Sequence, residues 1–143
     1  MAGTITGTAT KISSPFLNRS EAIIVTLTCT ADAAAHTYPA TVVNTLPNVL
    51  SRNLVGLYLY DVQAYPGVVA PTDATDLTIT NEAGIDLLGD KGTNLIDATS
   101  KTQTLVGPNG VYAPQLITGN ITVTISNNLV DSAVVTLVLT FID

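Results

Sequence analysis

Charged residues are scarce in this sequence of 143 residues. Asp, Glu, Lys and Arg together make up 11% of the chain, whereas about 25% is usual for a soluble domain. Thr, Ser and Asn take their place, since the hydrophobic share of 46% is ordinary. Five Lys and Arg residues stand against eleven Asp and Glu residues, giving a formal charge of -6. Because nucleic-acid binding depends on cations that neutralise phosphates, the composition argues against a nucleic-acid partner.

Cysteine and histidine each occur once, as Cys29 and His36. One Cys excludes an internal disulfide framework, and one Cys with one His excludes the usual zinc sites. Cys29 falls on the apolar side of an alternating strand, which predicts a buried small hydrophobe rather than a reactive thiol. His36 has no partner evident in the sequence and is interpreted as a surface or capping residue. With no Gly-x-Ser-x-Gly elbow either, we expect a non-enzymatic protein without catalytic residues, cofactor or metal.

Long hydrophobic runs are also missing. No stretch approaches the 18 or so apolar residues that span a bilayer as a helix. The start of the chain has neither the cationic residues nor the apolar block of a secretory signal peptide. We therefore expect no membrane partner.

What the sequence does contain is alternation with a period of two, which is typical of half-buried strands. Turn residues and prolines separate the alternating runs, so we predict one all-β domain over residues 1–143, an antiparallel β-sandwich of jelly-roll type. The turn at 127–132 predicts a hairpin between the last two strands, and only residues 84–97 could hold a helical turn. The strand at 134–142 is apolar on one face and half apolar on the other, and is expected to be covered on both sides. The predicted strands span residues 4–12, 22–31, 40–46, 54–64, 77–80, 113–118, 120–127 and 134–142.

Charge is unevenly distributed along the chain. No charged residue occurs between Lys101 and Asp131, and only His36 interrupts the stretch between Asp32 and Arg52. Exposed strands normally carry Lys and Glu, which prevent edge-to-edge association. Two interpretations remain open: Thr is simply a good strand residue, or these stretches lie against another chain, where charge is depleted.

The N-terminal residues 1–12 raise a similar question. They alternate Thr with small residues and carry little apolar bulk. Such a segment is either an edge strand of its own sheet or an interaction arm that adds as a strand to a neighbouring chain.

Four groups of residues have the composition of a possible site but lack the spacing or context that such a site requires. The acidic group lacks the alternate spacing of a calcium loop, and neither Glu suggests a paired-carboxylate site. Two triplets match the glycosylation sequon without a secretion signal, and one glycine-bounded segment lacks the Lys-Ser/Thr end of a phosphate loop. These groups are Asp73, Asp76, Asp86, Asp90 and Asp97; Glu21 and Glu82; Asn18-Arg19-Ser20 and Asn120-Ile121-Thr122; and Gly84 to Gly89. Three tyrosines, Tyr58, Tyr60 and Tyr65, leave a carbohydrate-binding platform open, although aromatic residues in alternation are more often core or interface.

One segment resembles a known class of proteins. Residues 77–94 contain a strand, an Asn-Glu-Ala-Gly turn and the loop Asp86-Leu87-Leu88-Gly89-Asp90-Lys91-Gly92-Thr93-Asn94. This pattern resembles small virion proteins of tailed bacteriophages. The likeness covers about residues 56–143. Besides residues 77–94, the similar segments are Gly56 to Asp61, Pro66-Gly67, Ala70 to Asp73, Ile121 to Ile125 and Val135 to Leu139.

The resemblance implies a structural component of the virion and no catalytic residues. It leads us to expect a capsid decoration (cement) protein on the outer surface of the phage head. The expected partners are the major capsid protein and further copies of the chain, with a homotrimer favoured. A tail, collar or connector protein and a carbohydrate-binding module remain the alternatives.

Overall fold

The computed structural model describes residues 1–13 and 21–143 and shows an all-β protein with antiparallel sheets. The predicted all-β class with antiparallel sheets is thereby confirmed. Two short 3-10 turns, Val43–Thr45 and Leu50–Arg52, follow the third strand. The strands are β1 (Thr4–Ser13), β2 (Glu21–Thr30), β3 (Thr41–Val42), β4 (Tyr58–Pro66), β5 (Asp76–Thr80), β6 (Thr102–Leu105), β7 (Gln115–Leu116), β8 (Thr122–Ser126) and β9 (Val134–Ile142).

The strands form one sheet of six and one of three. The larger sheet has the order β1-β2-β9-β4-β6, and β7 also pairs with β4; the smaller has the order β3-β8-β5. Alternation decides which side chains point inward, because successive residues of a strand face opposite sides. Val25 and Leu27 of β2 and Leu137 and Leu139 of β9 are fully buried. They join the inward residues of the smaller sheet, such as Ile79, in one hydrophobic core.

The hairpin predicted at 127–132 is wrong. β8 pairs with β3 and β5, whereas β9 pairs with β2 and β4, so this segment crosses from one sheet to the other. Buried Asn128 holds the crossing: its Oδ1 accepts from the backbone N–H of Thr72 at 3.0 Å, and its Nδ2 donates to the carbonyl of His36 at 2.8 Å. Turn-forming residues show that the chain reverses, but not which strands pair afterwards.

Other predicted elements differ in extent. β6 has no counterpart among the predicted strands, and the strand predicted at 40–46 ends at Val42, where a 3-10 turn begins. Residues 84–97 form successive turns instead of a helical turn, with Gly89 in the left-handed region at φ 58°. The outward side chains of β9, such as Thr136 and Val138, are half-exposed, so the chain itself covers this strand on one side.

The N-terminal strand β1 forms an edge of the larger sheet. It pairs with β2 over its whole length, from Thr4 opposite Thr30 to Ser13 opposite Glu21. Ile5 is 8% exposed and belongs to the core. Within the described residues, no strand pairs with the other edge of β1. The segment therefore completes its own sheet and leaves one row of backbone groups open.

Candidate interface and the side chains around it

Among the side chains that the structure describes, none on the outward surface of β1, β2 and β9 is charged. We call this surface the neutral face and define it by Thr4, Thr6, Thr8, Thr10, Ile12, Ala22, Ile24, Thr26, Thr28, Thr30, Val134, Thr136, Val138, Thr140 and Ile142. Cross-strand pairing aligns its threonines in rows, for example Thr6 opposite Thr28 and Thr28 opposite Thr136. Neighbouring strands are about 4.8 Å apart, so the rows form a continuous surface of methyl and hydroxyl groups.

Most acidic residues lie elsewhere, in loops, whereas Glu21, Asp61 and Asp76 belong to strands. Asp32 and Asp131 occupy loops that flank the ends of β2 and β9, and Asp86, Asp90 and Asp97 lie between β5 and β6. Negative charge is therefore concentrated in the loops, whereas the residues that define the neutral face are uncharged.

Most of the acidic group binds the backbone rather than a ligand. Asp86 Oδ1 accepts from the N–H of Leu88 at 3.1 Å, and its Oδ2 accepts from that of Asp90 at 3.0 Å. Hydrogen bonds from the N–H groups of Thr99 and Ser100 hold the pKa of Asp97 below its ordinary value. In the part of the chain that the structure describes, no three His, Cys, Asp or Glu side chains come together as metal ligands. These carboxylates fix turns.

The loop that resembles phage proteins is held by Lys91. Its Nζ donates to the carbonyls of Gly107 at 2.9 Å and Val111 at 2.6 Å, and lies 4.8 Å from the ring centroid of Tyr112. A Cβ on Gly92 would lie 1.9 Å from the carbonyl oxygen of Leu77, so only glycine allows this approach to β5. The motif therefore has an architectural role.

Cys29 is fully buried, as predicted, and desolvation raises the pKa of its thiol to about 12. His36 has a partner that the sequence did not reveal: its Nδ1 lies 2.5 Å from Asp131 Oδ1. The backbone N–H of Asn120, in the second sequon, donates to Glu82 Oε1 at 2.9 Å. The first sequon, Asn18-Arg19-Ser20, lies outside the described residues, and so does the side chain of Glu21.

Two of the tyrosines lie in an exposed apolar cluster at one end of β4. A β-bulge between Leu59 and Asp61 contains Tyr60, and Tyr58 and Tyr60 are 40% and 41% exposed. Leu105, Tyr112 and Leu116 are also exposed, and Tyr60, Leu105 and Tyr112 line a shallow cleft. The tyrosines predicted to be a platform or an interface are therefore open to solvent in the single chain.

A polar depression lies beside the neutral face, where β4 pairs with β6. We call it the amide pocket; it has a volume of about 240 Å³ and is lined by Gln63, Tyr65, Lys101, Thr102 and Gln103. Gln63 lies next to Val138 of the neutral face and opposite Gln103 of β6. Asp61 lies two residues before Gln63 in β4; it is 6% exposed and accepts a hydrogen bond from Gln103 Nε2 at 2.6 Å.

Sequence reasoning missed the neutral face. The charge-free run 102–130 is divided between both sheets, because it contains β6, β7 and β8. The alternating threonines of β1, β2 and β9 were visible, but only the strand order brings these three distant segments side by side.

Comparisons with protein-family models, curated proteins and solved structures find no match to this chain. Within residues 1–13 and 21–143, no helix has the length and hydropathy needed to cross a membrane.

Proposed function

We propose that the chain is a non-enzymatic structural protein of a bacteriophage virion, a capsid decoration (cement) protein on the outer surface of the head. The observation that carries the proposal is the neutral face, which is broad, regular and uncharged. The resemblance of residues 77–94 to small phage virion proteins supplies the biological setting.

The neutral face has the composition of a surface that becomes buried. Charged residues are depleted from the centres of interfaces, and exposed sheets that stay monomeric usually carry them. Its methyl groups offer apolar area, while its hydroxyl groups can donate and accept hydrogen bonds across a contact. Such a surface would bridge neighbouring subunits through area rather than through a few charged contacts.

The expected partners are the major capsid protein and other copies of the chain, with a homotrimer favoured. The open edge of β1 supports such contacts, because its unpaired backbone groups can extend a sheet of a neighbouring subunit. The acidic loops would face solvent and keep particles apart by repulsion. A tail, collar or connector position would use the same face with a different partner.

We also propose that the fold is a jelly roll with β1 added at its edge. A jelly roll has eight strands and arises by wrapping one long hairpin, so that the first strand pairs with the last, the second with the seventh and so on inward. The pairs β2–β9, β3–β8 and β4–β6 follow this order. The innermost pair would be β5 with residues 86–96, supported by the bridges Thr80–Asp86 and Thr75–Ile96.

The functional proposal is tested with a charge placed on the neutral face. Thr28 is exposed on β2, the middle strand of the neutral face, so Thr28→Lys should leave the fold intact but prevent close contact, because the ammonium group would have to be desolvated. Thr124→Lys on β8, facing outward on the smaller sheet, is the matched control. The purified chain would be studied by sedimentation, and its binding to particles of the major capsid protein from the same genome by co-sedimentation.

We expect the unmodified chain and Thr124→Lys to associate and to bind particles, and Thr28→Lys to do neither. A chain that stays monomeric and binds no capsid particle would contradict the proposal. If the chain bound isolated tails and not heads, the result would favour the alternative that it is a tail protein. Equal association of the two lysine variants would show that the neutral face is not the interface.

A further inference from the structure

The amide pocket contains two glutamines, and each uses only one of its two side-chain amide atoms in a hydrogen bond. Gln63 Oε1 accepts a hydrogen bond from the Tyr65 hydroxyl at 2.6 Å, and Gln103 Nε2 donates one to Asp61 Oδ2 at 2.6 Å. Neither Nε2 of Gln63 nor Oε1 of Gln103 has a partner among the described residues. The pocket therefore presents one oriented amide donor and one oriented amide acceptor, side by side on paired strands.

Asp61, which binds Gln103 at the edge of the pocket, is the strongest sign that this arrangement has a function. It is 6% exposed, and its Oδ1 is buried without a hydrogen-bond partner in the part of the chain described here. A buried carboxylate oxygen without a partner is costly. Departures of this kind concentrate at functional sites, where the cost maintains a geometry. Here the carboxylate orients Gln103.

The donor and acceptor pattern selects the ligand. A hydroxyl group both donates and accepts, so two adjacent hydroxyls on a ring can bind Gln63 Nε2 and Gln103 Oε1 together. An anion offers acceptors only, and its oxygens would face the Gln103 carbonyl oxygen. Lys101 lines the same pocket, with its Nζ 5.2 Å from the ring centroid of Tyr65, and adds a further donor. The volume of about 240 Å³ is small for a ligand cleft and fits one ring.

We propose that the amide pocket binds one pyranose ring of a neutral saccharide through two adjacent hydroxyl groups. Gln63 and Gln103 are the binding residues, Lys101 assists, and Asp61 and Tyr65 are positioning residues. The inference does not depend on the virion proposal. It places the site on Gln63 and Gln103 rather than on the exposed Tyr58 and Tyr60.

The test uses the full chain and free methyl glycosides of glucose, galactose and mannose, together with N-acetylglucosamine. Saturation-transfer NMR would detect the bound ring, and the side-chain amide signals of Gln63 and Gln103 would report its place. A single ring makes few contacts, so we expect dissociation constants of about 1 to 10 mM. Sodium sulfate is the anion probe.

Two variants and a control locate the site. Gln63→Leu removes the donor and should weaken binding about tenfold. Asp61→Asn should weaken binding and reduce the change that a glycoside causes in the amide signals of Gln103, whereas a purely structural role of Asp61 would leave that glycoside-induced change as in the unmodified chain. Thr124→Val on the smaller sheet should bind like the unmodified chain.

Three results would overturn the inference. The first is that no glycoside perturbs the glutamine signals at about 100 mM, roughly ten times the weakest expected constant. The second is that sulfate perturbs them and the glycosides do not, which would make the pocket an anion site. The third is equal glycoside binding by Gln63→Leu and Thr124→Val. Because Gln63 is a partly exposed residue, its variant remains informative even if Asp61→Asn fails to fold.

Discussion

Replacing Lys91 by Met should destabilise the fold more than the same replacement of Lys101. Lys91 Nζ donates to the carbonyls of Leu88, Gly107, Pro108 and Val111 at 2.6–3.4 Å, and so connects the loop after β5 to the loop after β6. Methionine keeps the length of the side chain and removes every one of these donors.

The magnitude follows from how much of this network is buried. A hydrogen bond from a charged donor contributes about 1.5–3 kcal/mol, and less where water competes. The bonds to Leu88 and Gly107 are partly buried, whereas those to Pro108 and Val111 are exposed. The contact with Tyr112 adds about 0.5–1 kcal/mol at an exposed site. We expect the free energy of unfolding to fall by about 2–3 kcal/mol.

Thermal and urea unfolding of the isolated chain provide the measurement. With an unfolding entropy of about 2.1 cal/mol/K per residue, the expected loss lowers Tm by roughly 6–10 °C. Lys101→Met is the matched control, because Lys101 has a ring contact with Tyr65 and no such set of carbonyls. Lys91→Arg should not restore stability, since a planar guanidinium cannot aim at converging carbonyls as an ammonium does. If Lys91→Met and Lys101→Met unfold at the same temperature, the reasoning is refuted.

Three further predictions concern other parts of the fold. Cys29→Ser should cost about 1–3 kcal/mol in urea unfolding, because it places a hydroxyl in a fully buried apolar site; rapid reaction of the native thiol with a thiol reagent would contradict this burial. Deleting residues 1–10 should lower the stability of the isolated chain by about 3 kcal/mol or more, since Ile5 and the β1–β2 ladder are lost; an unchanged Tm would make the segment an arm alone. Backbone N–H groups lower the pKa values of Asp32 and Asp97, so the stability they contribute should be present above about pH 4 and be lost as the pH falls through their folded pKa values. Asp32→Asn with Asp97→Asn should flatten acid unfolding, and an unchanged acid profile would disprove the linkage.

The elements with regular alternation could be predicted from the sequence. β2 and β9 were predicted to within one residue at each end, because Val25, Leu27, Leu137 and Leu139 mark one face without interruption. β6 was missed because its inward positions are Thr102 and Thr104, so no apolar alternation marks it. Residues 102–105 form a strand because they pair with β4, and this pairing cannot be recognised from the local sequence.

The candidate sites depend on long-range pairing, and for this reason sequence reasoning did not find them. Gln63 and Gln103 are distant in the chain and meet only because β6 pairs with β4. Asp61 showed no sign of burial, since a bulge in β4 determines where it points. The loop carboxylates were predicted to be solvated side chains without a specific role. In the structure, Asp86 accepts hydrogen bonds from backbone N–H groups.

The architectural role of the phage-like motif changes what the resemblance can support. Lys91 and Gly92 hold the loop that follows β5, so their presence argues for a shared fold rather than for a shared partner. The proposed partner therefore rests on the neutral face. A threonine surface would suit the proposed assembly, because its hydroxyls can be hydrated in the free chain and its methyls could be buried in the contact. A lysine at Thr28 would lose far more hydration than a threonine on burial, while it costs the free chain little. For this reason one lysine on the middle strand of the face should prevent assembly while leaving folding intact.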